Sequence, residues 1–358
     1  MPSKPISSNK KTATNKRPHL MSWPKKRLKT FKSRVKDLKS RRPHSSFVRT
    51  RRRDYIRSLN LPGYFSFSLE VFRTLQKHKN IWLGLIVVYA SLGLVLGGFA
   101  SQETYRTLGS FLEQSVDELL AGNAGQVSQA GLLAVATFSG ASANIGEAQR
   151  VYLSIIALLT WLSTVWLLRE QLVGNRPRLR DGLYSSAAPL VSSFMVAVVM
   201  IIQLLPFGLA ALVYTALAGS GLVDEGFGAF LSFTILGLVI ALTLYWLTAT
   251  FISLIVVTLP GMYPMQAIKV GGDLVVGRRL RIMYRMIWLT LWSAVVWFVF
   301  IIPTIMLDRY LASLWGFWSY LPIVPLVVAL LSSALVVYGA SYIYLLYRKI
   351  VADDASPA

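Results

Sequence analysis

The chain has 358 residues, 54% of them hydrophobic and 15% charged, with no cysteine, three histidines and a formal charge of +21. Soluble domains carry about 25% charged residues, so a wholly water-facing surface is excluded, and a mean hydropathy of +0.52 points to a polytopic membrane protein. The lack of cysteine excludes a disulfide framework, a thiolate zinc site and a cysteine nucleophile, and all three histidines precede the first apolar segment.

The charge is unevenly divided. Residues 1–80 hold 23 Lys and Arg against Asp37, Asp54 and Glu70, whereas the rest of the chain holds 14 against 13. Residues 1–57 are rich in Lys, Arg, Ser, Thr and Pro and have too few clustered apolar residues to offset their ordering entropy, so a disordered polybasic tail is expected. It has no apolar run of a signal peptide and is expected to be retained. Within it, Leu28, Phe31, Val35 and Leu38 recur at helical spacing among Lys25, Lys26, Arg27, Lys29, Lys32, Arg34, Lys36 and Lys39, which predicts a basic amphipathic helix near 24–42.

Beyond the tail, a domain at 58–350 contains six stretches that meet the roughly 20 apolar residues a membrane crossing needs: 81–100, 151–168, 188–218, 228–259, 286–306 and 321–346. The third and fourth are longer than a straight crossing, and Pro206 should kink the third. As drawn, the six contain no Asp, Glu, Lys, Arg or His, an absence that argues against a proton relay or a charge-lined pore. An outer loop at 101–150 carries its own pattern, with Leu108, Phe111, Leu112, Val116, Leu119 and Leu120 on one helical face and Glu113, Asp117 and Glu118 on the other. The apolar run at 131–138 is too short to span and either dips into the membrane or packs over the bundle. A short tail at 351–358 ends the chain.

Short cytoplasmic loops retain Lys and Arg. Six crossings place the N-terminal tail, Arg169, Arg176, Arg178 and Arg180, then Lys269, Arg278, Arg279, Arg281 and Arg285, then Arg348 and Lys349 on one side, which predicts a plasma-membrane protein with both termini cytoplasmic. Before the first, third and fifth spans stands a Pro followed by a short, partly polar helical segment: Pro62 (61–80), Pro177 (176–189) and Pro264 (263–286). The predicted fold is therefore all-α, a six-helix transmembrane bundle of three units, each an interfacial elbow helix followed by a spanning hairpin.

The third elbow, AIKVGGDLVVGRRLRIMYRMIWL at 267–289, resembles the membrane domain of glycerophosphoryl diester phosphodiesterases and related polytopic proteins. RPHSSFVRTRRRDY (42–55), LPGY (61–64), TLPGMYP (258–264) and SYIYLLYRK (341–349) are similar to an uncharacterised membrane protein family of ultra-small candidate-phylum bacteria. The first resemblance implies no catalysis, since that chemistry belongs to a separate soluble metal-dependent barrel with no counterpart here. The second implies a membrane protein without naming a role.

The candidate sites follow from these patterns. The tail cations, with Arg278, Arg279 and Arg281, are candidates for anionic-lipid contact, each basic residue near an acidic leaflet contributing about 1 kcal/mol. The same polycation could hold RNA or ribosomes through phosphate backbones, or could simply enforce topology. Gly93 and Gly97 form GxxxG, for packing within the bundle or for dimerisation. Gln203 is a mid-helix amide, for an interhelical hydrogen bond or a ligand contact. Nothing in the pattern calls for a metal, a cofactor or a catalytic group. The reading is a non-enzymatic membrane protein that organises or senses the bilayer through anionic lipid; the alternatives are a transporter of an uncharged or lipidic solute and a membrane tether for RNA or ribosomes.

Overall fold

A computed structural model describes Lys32 and residues 61–97, 146–219, 226–315, 317–318 and 321–355. The tail helix near 24–42, apart from Lys32, the outer-loop helix at 108–120, the run at 131–138 and the last three residues lie outside the described residues. Among those described, all regular structure is helical: α1 (Tyr64–Gln76), α2 (Lys79–Leu96), α3 (Glu147–Val173), α4 (Leu179–Ser185), α5 (Leu190–Gly219), α6 (Gly226–Val256), α7 (Pro264–Val275), α8 (Arg279–Leu314) and α9 (Ile323–Ala355). Six of them, α2, α3, α5, α6, α8 and α9, are long and apolar enough to cross a membrane. The chain is a multi-pass membrane protein.

Three short helices each precede a long hairpin, and the sequence marks each start. Pro62 and Gly63 lead into α1, where Ser66 Oγ returns to the Gly63 carbonyl at 2.9 Å. Pro177 precedes α4, whose Asp181 accepts from the Arg178 amide at 3.1 Å and satisfies an otherwise orphaned donor. Pro264 occupies the first turn of α7, where its missing N–H costs nothing. The stop signals are equally local. Gly174 closes α3 at φ 99°, and the Asn175 amide reaches back to the Glu170 carbonyl at 3.1 Å.

The three units close on one another in a ring. Each elbow lies against the second hairpin helix of the unit before it, α4 on α3 and α7 on α6, and α1 completes the cycle by lying on α9. The hairpins follow the same rule, α3 meeting α5, α6 meeting α8 and α9 meeting α2. Lipid chains are as apolar as leucine, so burial within the bilayer gives little drive, and close approach of backbones together with hydrogen bonds must hold such a ring. Gly182 of α4 sits directly over the Leu167 side chain, and Gly271 of α7 over the backbone of Ser253. At the closing joint an aromatic contact takes the glycine's place, Phe67 meeting Tyr342 edge-on with centroids 4.7 Å apart.

That joint also contains Arg285 of α8, only 6% exposed. Its guanidinium donates to the Pro62 carbonyl, at the entrance to α1, and lies over the Tyr64 ring at 4.5 Å and the Phe67 ring at 5.5 Å. Trp288 Nε1, one turn on, donates to Ser68 Oγ at 3.0 Å, and Lys349 of α9 pairs with Glu70 of α1 at 2.9 Å. Trp288 and Trp292 stack 6.3 Å apart beside Tyr64 and Phe65, an aromatic girdle of the kind that sits at a membrane interface.

The principal core gathers at the elbow end, from Phe67 and Val71 through Leu167 and Leu168 to Ile255, Ile282 and Leu346. Towards the far end α8 and α9 keep a separate cluster around Trp297, Ile301 and Val328, while α5 and α6 present residues such as Ile201, Leu205, Phe233 and Leu238 outwards. The outward faces are apolar, as contact with hydrocarbon requires.

Several span boundaries differ from the sequence reading, α3 running to Val173, α8 covering Arg279–Leu314 and α9 continuing to Ala355. The fifth span is a 36-residue helix, because the break after α7 falls at Gly277 (φ 81°) and residues 279–285, assigned above to the elbow, are already part of α8. The spans consequently contain ionisable side chains after all, and two of them, Arg285 and Asp308, are buried. Hydropathy marks where the chain turns polar; backbone hydrogen bonding continues past that point. Pro206 is accommodated inside α5, and α5 and α6 are each one continuous helix.

Candidate functional site

Of the proposed tail contacts, Lys25, Lys26, Arg27, Lys29, Arg34, Lys36 and Lys39 lie outside the described residues, and Lys32 is helical and exposed. The basic cluster after α7 is divided by the fold. Arg278 is 2% exposed, its Nε donating to the Leu274 carbonyl at 2.9 Å and its Nη2 to the Ile350 carbonyl at 3.4 Å, so it holds the end of α7 to α9 from within. Arg279 lies over the Tyr245 ring at 4.1 Å, and Arg281 is exposed.

The three other proposed positions, Gly93, Gly97 and Gln203, pack within the bundle. A Cβ on Gly97 would overlap the Leu153 side chain, so this glycine sets the approach of α2 to α3, and Gly93, one turn earlier, is buried. Gln203 Oε1 accepts from Thr250 Oγ1 at 2.6 Å and joins α5 to α6. Interhelical hydrogen bonds in membranes average about 0.6 kcal/mol and reach about 1.7. Thr250→Val should therefore destabilise the protein by about 1 kcal/mol, and in Gln203→Leu the same change should cost almost nothing, as a thermal-denaturation double-mutant cycle will show.

The arrangement with most chemistry was not singled out in the sequence. Three segments meet at the elbow end around a cavity of about 400 Å³: the last turns of α3, the turn from α4 into α5, and the stretch 257–262 that leaves α6. Each has a local cause. The α4–α5 turn is fixed by Ser186, whose buried Oγ shares a 2.8 Å hydrogen bond with Ser163 Oγ, itself 2.7 Å from the Tyr89 hydroxyl. The exit of α6 turns at Gly261, φ 79°, behind Pro260.

The polar lining favours an anion. Arg169 enters from α3 with its side chain 29% exposed; its Nη1 reaches the Thr258 carbonyl at 3.4 Å and its Nε lies 3.9 Å from Glu170 Oε1. That carboxylate's other oxygen is occupied, accepting from Asn175 Nδ2 at 2.7 Å. Ser185 and Ser192 line the same cavity, and Ser192 belongs to the first turn of the 30-residue α5. Helix N-termini present unsatisfied amides and the positive end of the peptide dipoles, so they favour negative charge. Next to Ser192, Ser193 Oγ is fully buried and meets no hydrogen-bond partner among the described residues. The remaining wall is apolar and aromatic, with Leu162, Trp166 and Met262. One guanidinium, free hydroxyls and a helix N-terminus over an apolar wall suit a phosphate attached to hydrocarbon. Compared with protein-family models, with curated proteins and with solved structures, the chain matches none.

Proposed function

We propose that this chain is a non-enzymatic protein of the plasma membrane, both termini cytoplasmic, that binds and orders anionic phospholipid at its elbow face. The observation that carries the reading is the cavity at which Arg169, Ser185, Ser192 and the N-terminus of α5 converge over an apolar wall. Its position supports it. The helix ends at the elbow side carry Arg169, Arg176, Arg279, Arg281, Arg348 and Lys349, the distribution expected of the cytoplasmic side, where anionic lipid is enriched. The polybasic tail adds a second, less specific attraction to the same leaflet, through Lys25, Lys26, Arg27 and Lys29 among others.

The test compares phosphatidylglycerol with phosphatidylcholine retained by the full-length protein in native mass spectrometry. Charge-assisted hydrogen bonds contribute about 1.5–3 kcal/mol, so Arg169→Gln should lower phosphatidylglycerol affinity about tenfold. Arg176→Gln, an exposed cation on the same side, should change it little. Equal retention by wild type and Arg169→Gln would remove the cavity from the mechanism. Neutralising Lys25, Lys26, Arg27 and Lys29 should weaken binding to phosphatidylglycerol vesicles without altering retention at the cavity.

A further inference from the structure

The cavity at Arg169 carries a selectivity that its charge alone does not state. Among the described residues that line it, Arg169 is the only ionised side chain. Glu170, its neighbour on α3, is not in the wall, and one of its oxygens is held by Asn175 at 2.7 Å. Apart from the indole of Trp166, every other polar side chain in the wall is a hydroxyl: Ser185, Ser186, Ser192 and Thr258. Two of these are committed, Ser186 to Ser163 Oγ at 2.8 Å and Thr258 to the Ile255 carbonyl at 2.7 Å. The half-buried Ser185 and Ser192 have no side-chain hydrogen bond to any described residue.

The groups left over decide which headgroup fits. The reading of the cavity as a phosphate site, on which this inference rests, commits Arg169 and Ser192 to the phosphate. The rest of the headgroup then meets Ser185, which can both donate and accept, and the stretch 257–262, where the carbonyls of Val257, Pro260 and Gly261 accept from no described residue. An ammonium would find no carboxylate in this wall. Trp166 offers a ring to a cation, but Arg169 stands three residues on along the same helix face and repels it. A second anionic group would compete with the phosphate for one guanidinium. Hydroxyls suit both the serine and the carbonyls, and a volume of about 400 Å³, within the range of small-ligand sites, holds more than a bare phosphate.

We propose that the cavity selects a phosphodiester whose headgroup bears hydroxyls, the glycerol of phosphatidylglycerol, with Ser185 Oγ bonding a headgroup hydroxyl while Arg169 holds the phosphate. This goes beyond attraction to an acidic leaflet, because two lipids of equal charge are told apart. The apolar wall of Leu162 and Met262 assigns the phosphodiester to a lipid rather than to a soluble molecule.

The test is native mass spectrometry of the full-length protein with three lipids of identical acyl chains: phosphatidylglycerol, phosphatidylserine, and phosphatidylpropanol, which keeps the phosphate and its charge and lacks the two hydroxyls. Two neutral hydrogen bonds should favour phosphatidylglycerol over phosphatidylpropanol about tenfold, and phosphatidylserine should bind no better than phosphatidylpropanol. Ser185→Ala should narrow the tenfold ratio to about threefold, and Ser185→Thr, which keeps the hydroxyl, should restore it. Arg169→Gln should weaken all three lipids and preserve the ratio. Glycerophosphoglycerol, the same headgroup without acyl chains, should not displace phosphatidylglycerol at equal concentration; displacement would assign the cavity to a soluble phosphodiester and overturn the lipid assignment. Equal binding of phosphatidylglycerol and phosphatidylpropanol, both weakened by Arg169→Gln, would overturn the selectivity and leave the phosphate site standing. Binding of all three lipids untouched by Arg169→Gln would remove the site itself, and the selectivity with it. A ratio unmoved by Ser185→Ala would overturn the role given to Ser185.

Discussion

Replacing Gly271 with alanine is expected to destabilise the protein by about 2 kcal/mol, while the same replacement at its neighbour Gly272 stabilises it by about 0.5–1 kcal/mol. Both lie in α7, and alanine is the better helix former at either place by up to about 1 kcal/mol. Surroundings decide the sign. A Cβ on Gly271 would stand 2.9 Å from the Ser253 amide nitrogen and 3.0 Å from its Cα, and would overlap its Oγ. Backbone cannot step aside, and Ser253 Oγ is committed to the Ala249 carbonyl at 2.8 Å, so α7 must lift from α6. A Cβ on Gly272 meets nothing within 4 Å. Thermal denaturation of the two variants in one detergent measures the difference, and equal shifts would mean that α7 does not sit this close to α6.

The second large effect is at the ring's closing joint. Arg285→Ala should cost about 3 kcal/mol, since it removes a charge-assisted hydrogen bond to the Pro62 carbonyl and a desolvated contact with the Tyr64 and Phe67 rings. Lysine should not restore the loss, because the planar guanidinium bonds a carbonyl while lying over a ring, and an ammonium cannot combine the two. The effect should also be local. Hydrogen exchange in α1 should accelerate in Arg285→Ala, with α4 and α7 unchanged, because their joints to α3 and α6 are separate. Uniform acceleration would show that the three elbows are not independently seated.

Much of this architecture is legible in the sequence. Hydropathy locates all six spans, and the prolines at 62, 177 and 264 announce the elbows that precede alternate spans. The amide of Gln203, isolated in an apolar helix, marks its own need for a partner, although only the fold identifies Thr250. What is not legible joins distant residues. Pro62 and Arg285 are 223 positions apart, and no periodicity connects them. Arg278 reads as a surface cation because it stands in a basic run, yet helix ends leave carbonyls without partners, and the fold uses its guanidinium to satisfy the one at Leu274 and to reach the Ile350 carbonyl on α9. Gly271 and Gly272 are identical letters, and only the approach of Ser253 separates them.

The cavity at Arg169 was hidden for the same reason. Arg169 enters the sequence reading as one more cation fixing orientation, and the segment TLPGMYP as a likeness to other proteins. Neither points to the α4–α5 turn, and the three segments come together only because each elbow packs on the hairpin before it.

The most direct measurement is an experimental map of the full-length protein in a phosphatidylglycerol bilayer disc, inspected at the cavity between α3, the α4–α5 turn and the exit of α6. The account predicts density for a phosphate within hydrogen-bond reach of Arg169 and Ser192, with its glycerol against Trp166, and loss of that density in Arg169→Gln. A cavity filled only by water, or by a side chain of the protein itself, in wild type and variant alike, would contradict it.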